Sequence, residues 1–266
     1  MESEEVMPND DHEKNRTAWN EMVEVHWDHP DQKRKEFLDG WCSLKSIELE
    51  AVGDVHGKSL LHLMCQFGMD TLSWARRGAV VTGVDISDRS IERADELKKL
   101  AGLDATFVRG DVLDLIGVID QQFDVVFQSH GTHCWISDMD RWAQVVTHYL
   151  KPGGLFFIVD DHPIICLWEE PPNSYLHKEP IRYTGEPDYC DREHIIETER
   201  VEFQHPLSRI VNALISAGLT IEHLGEYDKG YYPIQADWYE KDGYWYPPGG
   251  PPLYPLMFSL KARKAR

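Results

Sequence analysis

A chain of 266 residues with 46 acidic against 27 basic side chains carries a formal charge of −19, which disfavours nucleic acid and anionic membrane as partners because both need a positive surface. Its 42% hydrophobic content suffices for one sizeable core, and no apolar run approaches the roughly 18 residues of a membrane span. Cys42, Cys65, Cys134, Cys166 and Cys190 include no C-x-x-C pair, so they read as reduced thiols and exclude a disulfide framework or a cysteine zinc site. The start MESEEVMPNDDHEK is acidic and polar where a secretory leader would be basic and then apolar, so a cytoplasmic location is expected.

In chain order, Asn15 to His26 place Trp19, Met22, Val23 and His26 at helical spacing, and Asp31 to Trp41 continue as a second helical piece. Leu60, Leu61 and Leu63 read as a short buried strand, Asp70 to Arg77 as a helix, and Val80 to Val84 as a parallel core strand ending in Asp85. This is a β-α-β unit. Its first turn presents backbone N–H groups at a helix N-terminus, and an acid ending the second strand can accept hydrogen bonds from ribose hydroxyls. Asp85 follows Gly68 at close to the roughly 20-residue separation expected of such an acid. A nicotinamide dinucleotide would need G-x-G-x-x-G for its pyrophosphate, and the chain has no such string.

Downstream, Phe107-Val108-Arg109-Gly110-Asp111-Val112 reads as a third strand with a following acid, and Phe123 to Gln128 (FDVVFQ) as a fourth. Ser129 to Asp138 form a loop, Arg141 to Tyr149 a helix, Leu150-Lys151-Pro152-Gly153-Gly154 a reversal, and Leu155 to Val159 a fifth strand. In this order and spacing, residues 58–160 resemble the class I S-adenosylmethionine-dependent methyltransferases, whose first motif is D-x-G-x-G-x-G after strand one and whose second is V-D after strand two. The resemblance extends to a bacterial subgroup with a loop like HLxCxFGxDTLSxARxGA. It implies an α/β fold: a Rossmann-like, seven-stranded, mostly parallel sheet with an antiparallel last strand, an N-terminal helical lid over the cofactor, and cap insertions. Packing of Trp19 and Trp27 against the sheet edge is the alternative for the N-terminal helices.

It also implies S-adenosyl-L-methionine as cofactor, held by Met64, Cys65, Gly68, Asp85, Ile86, Gly110, Asp111, Val112 and Gln128, with Asp111 accepting from the adenine amino group. His62 stands at the acid of the first motif, and Met64 and Gln66 at its first two glycines. Glycine permits positive φ and close backbone approach, so the loop is expected to take a different path here. Cys65 is expected to pack as a small apolar residue.

Residues 1–57 are expected to form the acidic segment and lid, and residues 58–266 the catalytic domain, with insertions at about 162–206 and 227–254. In the first insertion, Tyr183 to Asp188 read as the turn of a hairpin and Ile195 to Phe203 as a strand; Leu207 to Ala217 then read as a helix stopped by Gly218, and Leu219 to Leu224 as a strand. The second is rich in tyrosine, tryptophan, proline and glycine, so a long irregular loop is expected before a last strand from Leu256 to Leu260. That loop reads as a wall for an acceptor, with self-packing and a homodimer interface as alternatives. The final Lys261 to Arg266 read as a solvated tail.

Methyl transfer from a sulfonium is an in-line displacement, and a general base is needed only where the nucleophile is protonated. The stretch Ser129 to Asp138 holds His130 and His133, and its His133-Cys134-Trp135-Ile136-Ser137-Asp138 is similar to the H-x-W-S-D region that carries the base of plant-type small-molecule O-methyltransferases. His133 is therefore the first candidate base and His162, after strand five, the second; each is alternatively a structural hydrogen-bonding residue. The expected function is methylation of a small aromatic or amphipathic acceptor, with no metal; the alternative is a non-catalytic S-adenosylmethionine-binding sensor or scaffold.

Overall fold

Alternating side chains on each central strand reach two different cores, and this two-sided burial makes the sheet the middle layer of the molecule. The computed structural model describes residues 10–168 and 174–266. The first nine residues of the acidic segment and residues 169–173 of the first insertion lie outside the described residues. Strands β1 (Ser59–Leu63), β2 (Val80–Asp85), β3 (Thr106–Arg109), β4 (Phe123–Gln128), β5 (Leu150–Asp161), β10 (Leu219–Tyr227) and β13 (Met257–Lys264) form one seven-stranded sheet in the order β10-β13-β5-β4-β1-β2-β3. The five strands β5 to β3 in that order run parallel, and β13 inserts antiparallel between β5 and β10, as expected of a Rossmann-like sheet.

Leu61, Leu63, Val126, Phe156 and Ile158 face a core under helices α6 (Met139–Tyr149) and α7 (Leu207–Ser216). Leu60, Val125, Phe127, Phe157 and Val159 face the other core, which includes α3 (Ser46–Val52) and Trp74 of α4 (Met69–Arg76). Helix α5 (Asp88–Ala101) joins β2 to β3; Ser87 caps it, its hydroxyl accepting from Ser90 N–H. Between β4 and β2 the connections leave β1 in opposite directions, so the carboxyl ends of β1 and β4 open a crevice at the switch point. Helix α1 (Asp10–Asp28) and the short α2 (Arg34–Leu38) precede the sheet.

Four local expectations change. The LKPGG segment is not a separate turn: β5 runs through it, pairing Leu150 with Phe123 and Leu155 with Val125, so the intervening residues form a bulge. In the first insertion the reversal lies at residues 188–194, not at Tyr183 to Asp188, because β6 (Ile181–Tyr183) pairs with β9 (Arg200–Glu202) and β7 (Glu186–Pro187) with β8 (Ile195–Ile196). The aromatic loop contains a hairpin, β11 (Tyr239–Lys241) with β12 (Tyr244–Tyr246), and buries Tyr231, Trp238 and Tyr244. The basic ending is no loose tail: Lys261 to Lys264 belong to β13, Arg263 pairs with Glu222, and Lys264 donates to the carbonyls of Thr147 and Leu150.

The loop after β1 also departs from expectation. Met64, Gln66 and Gly68, the three positions where the resembling motif has glycine, all hold positive φ, at 57°, 50° and 79°. The left-handed path is kept without two of its glycines. Gly68 alone could not be replaced, since a Cβ there would lie 2.5 Å from the Phe107 ring. Gly68→Ala is expected to cost about 2 to 4 kcal/mol from backbone strain and overpacking, read as a lowered denaturation midpoint, whereas Gln66→Ala should cost less than half as much.

Candidate functional site

The loop after β1 and the acid ending β2 are joined by main-chain hydrogen bonds. Gln66 N–H donates to Asp85 Oδ2 at 2.8 Å and Ser87 N–H to Oδ1 at 2.9 Å. Burial raises the Asp85 pKa to about 6 against these stabilising donors. Gly110 N–H donates to the Asp85 carbonyl, which brings the β3 turn alongside. There Asp111 caps a helical turn by accepting from Leu113 N–H at 2.9 Å, and Val112 is buried behind it. Met64, Cys65, Gly68, Asp85, Ile86, Gly110, Asp111 and Val112 thus meet at the carboxyl ends of β1, β2 and β3. Cys65 packs as expected: it is buried, and burial pushes its thiol pKa well above the ordinary value. Gln128 ends β4 facing the helix side, where its amide donates to Thr132 Oγ1 at 2.8 Å and accepts from Trp142 Nε1 at 2.9 Å.

His62, at the motif's acid position, bridges Thr71 Oγ1 (2.8 Å) and Ser129 Oγ (3.0 Å). Burial lowers its pKa to about 4, so it is a neutral strut at physiological pH.

Helix α1 crosses this edge as a roof. His12 Nδ1 donates to Asp111 Oδ2 at 2.6 Å while its Nε2 accepts from Ser137 N–H. Asn20 accepts from Ser87 Oγ and Arg89 N–H, and Arg16 pairs with Asp88. His26, fully buried, accepts at Nδ1 from Gln66 Nε2 (3.2 Å) and faces Asp188 of the first insertion through Nε2 (2.9 Å). Asn15 exchanges two hydrogen bonds with Val201 of β9. Trp27 packs edge-on to Phe67 of the loop after β1.

Beside the loop lies a cluster of tyrosines. Tyr189 and Tyr232 are 49% and 53% exposed, and the protein packed around them raises both hydroxyl pKa values. The Asp70 and Asp161 carboxylates help to raise the Tyr232 pKa. His130 adjoins the cluster, its ring stacked on Tyr231 at 4.3 Å and tilted toward Tyr232 at 5.6 Å. His130 Nε2 lies 3.2 Å from Asp161 Oδ1, and its Nδ1 has no hydrogen-bond partner. Burial alone would lower the His130 pKa, but the Asp161 and Asp160 carboxylates together outweigh it and the net shift is upward.

The two histidines singled out from the sequence sit differently. His133 is buried with Nδ1 3.1 Å from Asp160 Oδ2, close enough for charge pairing but not aligned as a hydrogen bond, and its ring is edge-on to Phe258. His162 is engaged at both nitrogens: Nδ1 accepts from Ile164 N–H at 3.1 Å and Nε2 faces Glu226 at 3.0 Å. Both lie toward β13 and β10, whereas His130 faces the tyrosines. His12, His26 and Gln66 were not singled out in sequence because nothing local marks them; the one available signal was a glutamine at a glycine position.

The buried Asp160 carboxylate fixes the loop after β4. It accepts from the N–H groups of Gly131 (2.7 Å), Thr132 (2.9 Å), His133 (3.0 Å) and Asp161 (2.8 Å), and from Thr132 Oγ1 (2.9 Å). Burial pushes its pKa up, but His133, His130 and these donors hold it well below the usual carboxylate range.

Residues 61–158 match the family model described as a methyltransferase domain. Over 120 residues the chain is 34% identical to the phthiotriol/phenolphthiotriol dimycocerosates methyltransferase of Mycobacterium tuberculosis, covering 44% of this chain and 43% of that one. Over 117 residues it is 31% identical to the ubiquinone biosynthesis O-methyltransferase of Brucella anthropi, covering 44% and 46%. The matched stretch spans less than half the length of these relatives. Among solved structures, a SAM-dependent methyltransferase from Methanosarcina mazei superposes with TM-score 0.60 at 19% identity, over 84% of this chain and 98% of that one, which establishes a shared fold. Among the described residues no helix is long and apolar enough to cross a membrane.

Asp160→Asn keeps the shape but turns an amide N–H₂ toward backbone donors, and is expected to cost about 2 to 4 kcal/mol at pH 7. A depressed carboxylate pKa gives stability that is present above the unfolded value of roughly 3.9 and lost as pH falls further. Denaturant titrations should therefore show the gap between wild type and Asp160→Asn narrowing below about pH 4.

Proposed function

We propose that the chain is an S-adenosylmethionine-dependent methyltransferase acting on a small-molecule acceptor bound against the tyrosine cluster beside His130. The observation that carries this reading is the loop and its two acids: a left-handed backbone path at three positions, with Asp85 and Asp111 converging on it. Asp85 accepts from Gln66 N–H at one oxygen and from Ser87 N–H at the other, and an ionised carboxylate with about four acceptor sites fits a pair of vicinal ribose hydroxyls. Asp111 accepts from Leu113 and His12 and likewise retains acceptor capacity for an exocyclic amino group. When bound, S-adenosylmethionine supplies an electrophilic methyl group.

The chain's own residues then position the acceptor and move its proton. Tyr189 and Tyr232, each about half exposed, offer rings and hydroxyls to an aromatic or amphipathic molecule, while buried Tyr231, its hydroxyl donating to Glu48, backs the His130 ring. Asp161 is the more exposed member of the His130–Asp161 pair, and the imidazole of His130 behind it, its pKa shifted upward, is the base. As the acceptor gains a methyl group its proton passes to this pair. This revises the assignment from sequence, since His162 has no free nitrogen and His133 faces Asp160 away from the tyrosines. The matching of residues 61–158 to a methyltransferase domain and the activities of the two named relatives support the reaction class.

Calorimetry is expected to show binding of S-adenosylmethionine and S-adenosylhomocysteine, and none of NAD. Ribose hydroxyls favour ionised Asp85, so binding releases a proton wherever Asp85 is protonated in the free protein; affinity should hold above pH 7 and fall by up to tenfold per pH unit below about 6. Asp85→Asn should flatten that dependence. Nicotinamide binding without sulfonium-nucleoside binding would remove the reading.

Turnover should rise with pH through a pKa above the ordinary histidine value, because a raised pKa keeps the imidazole protonated and unable to accept until higher pH. His130→Ala is expected to lower the maximal rate by about 10² to 10⁴ and to remove that limb, with cofactor affinity retained. Measured on a panel of phenols, amines and thiols, tight cofactor binding with no transfer to any acceptor would favour the sensor or scaffold alternative.

A further inference from the structure

The side chain of Gln66 occupies a place that glycine would leave empty. A non-glycine residue in the left-handed region costs roughly 1 kcal/mol, so the side chain has to make contacts that offset this strain. Its amide donates to His26 Nδ1 at 3.2 Å, and its own N–H holds Asp85 Oδ2 at 2.8 Å. His26 is completely buried, and Tyr189 Oη lies 3.4 Å from the same Nδ1. Because Nδ1 receives donors, the imidazole proton resides on Nε2 and points at both oxygens of Asp188, 2.9 and 3.1 Å away. Asp188, 1% exposed, turns the first insertion by accepting from the N–H groups of Cys190 (2.7 Å) and Asp191 (3.0 Å). One chain of hydrogen bonds therefore runs from the acid at the end of β2 to the cap that carries Tyr189.

We propose that Gln66, His26 and Asp188 form a positioning relay that couples occupation of the cofactor site to ordering of the acceptor cap over residues 186–202. The inference rests on the cofactor reading above. Gln66 reports on the site because its peptide N–H shares the Asp85 carboxylate that is assigned to the ribose. Strengthening or redirecting the Asp85 bonds shifts the peptide, and with it the amide that sets the His26 ring. The ring in turn fixes Asp188, whose two backbone bonds define the turn at the tip of the cap. Every link is buried or half-buried, where a misdirected polar group is costly and alternatives are few. Cap ordering fixes Tyr189, whose hydroxyl meets the same His26 ring, on the side where the acceptor is proposed to bind.

The experiment is amide hydrogen exchange on the full chain with and without S-adenosylhomocysteine, comparing wild type with Gln66→Gly and His26→Gln. Gln66→Gly suits the left-handed backbone and deletes only the relay side chain, so folding and nucleoside binding should persist. In wild type the ligand is expected to slow exchange in residues 186–202 by about fivefold or more. In both variants that remote protection should vanish while protection around Asp85 remains. A purely structural role would change the cap's exchange equally with and without ligand, leaving the ligand-dependent ratio as in wild type, and that result would overturn the relay. Cap protection of equal size in all three proteins would also overturn it, with the cofactor assignment intact. If calorimetry showed no binding of S-adenosylhomocysteine to wild type, the cofactor reading would fail first and the relay with it.

Discussion

A carboxylate with no exposure at the end of a core strand must be surrounded by donors, and that requirement at Asp160 shapes one side of the site. Five donors converge on it, three of them consecutive backbone N–H groups from Gly131 to His133. The loop after β4 is thereby bound to the end of β5, although the two are joined in sequence only through α6. His130 lies immediately before the clamp and His133 is its last member, so the clamp sets which histidine faces which core. A buried charge is a weak contributor to net stability, but its donor demand admits few alternative loop paths.

The second constraint is the left-handed loop after β1. Sequence reasoning placed the β-α-β unit, its acid and the order of the following strands correctly, because buried strands and their bounding turns leave a periodic signal. It misjudged the loop by equating glycine with the conformation that glycine permits. Backbone dihedrals are shared by several residue types when surrounding bonds over-determine them, and here Gln66 N–H on Asp85 and Cys65 N–H on the Val84 carbonyl do so. Only where space also excludes a Cβ, as at Gly68 beneath Phe107, is glycine itself required. The distinction is one of packing and leaves no trace in a single sequence.

Helix α1 illustrates what periodicity conveys and what it omits. The spacing of Trp19, Met22, Val23 and His26 identified a helix with an inward face. That face is in large part polar: His12, Asn15 and His26 are buried and hydrogen-bonded to β3, β9, the loop after β1 and the first insertion. Such partners are separated by up to 186 residues, so no local pattern records them. The same limitation explains the hairpins of the insertions, where two- and three-residue strands are fixed by cross-strand pairing and not by any run of strand-forming residues.

The choice among histidines follows from accounting for each ring nitrogen. In sequence, His133 ranks first and His162 second, and His130 shares their placement: each follows a core strand at the edge where a ligand would bind. Their hydrogen bonds separate them. A histidine that accepts a backbone N–H on one nitrogen and faces a carboxylate with the other has a fixed tautomer and no lone pair to offer, which describes His162. His133 contributes its backbone to the Asp160 clamp and its ring to the same carboxylate. His130 alone of the three meets both the tyrosines and a partly exposed carboxylate, and its upward-shifted pKa follows from the Asp161 and Asp160 carboxylates together prevailing over burial. Proton-transfer competence is thus a property of the partners that a folded chain brings to each nitrogen, and for these three residues the partners come from β5, β10 and the aromatic loop.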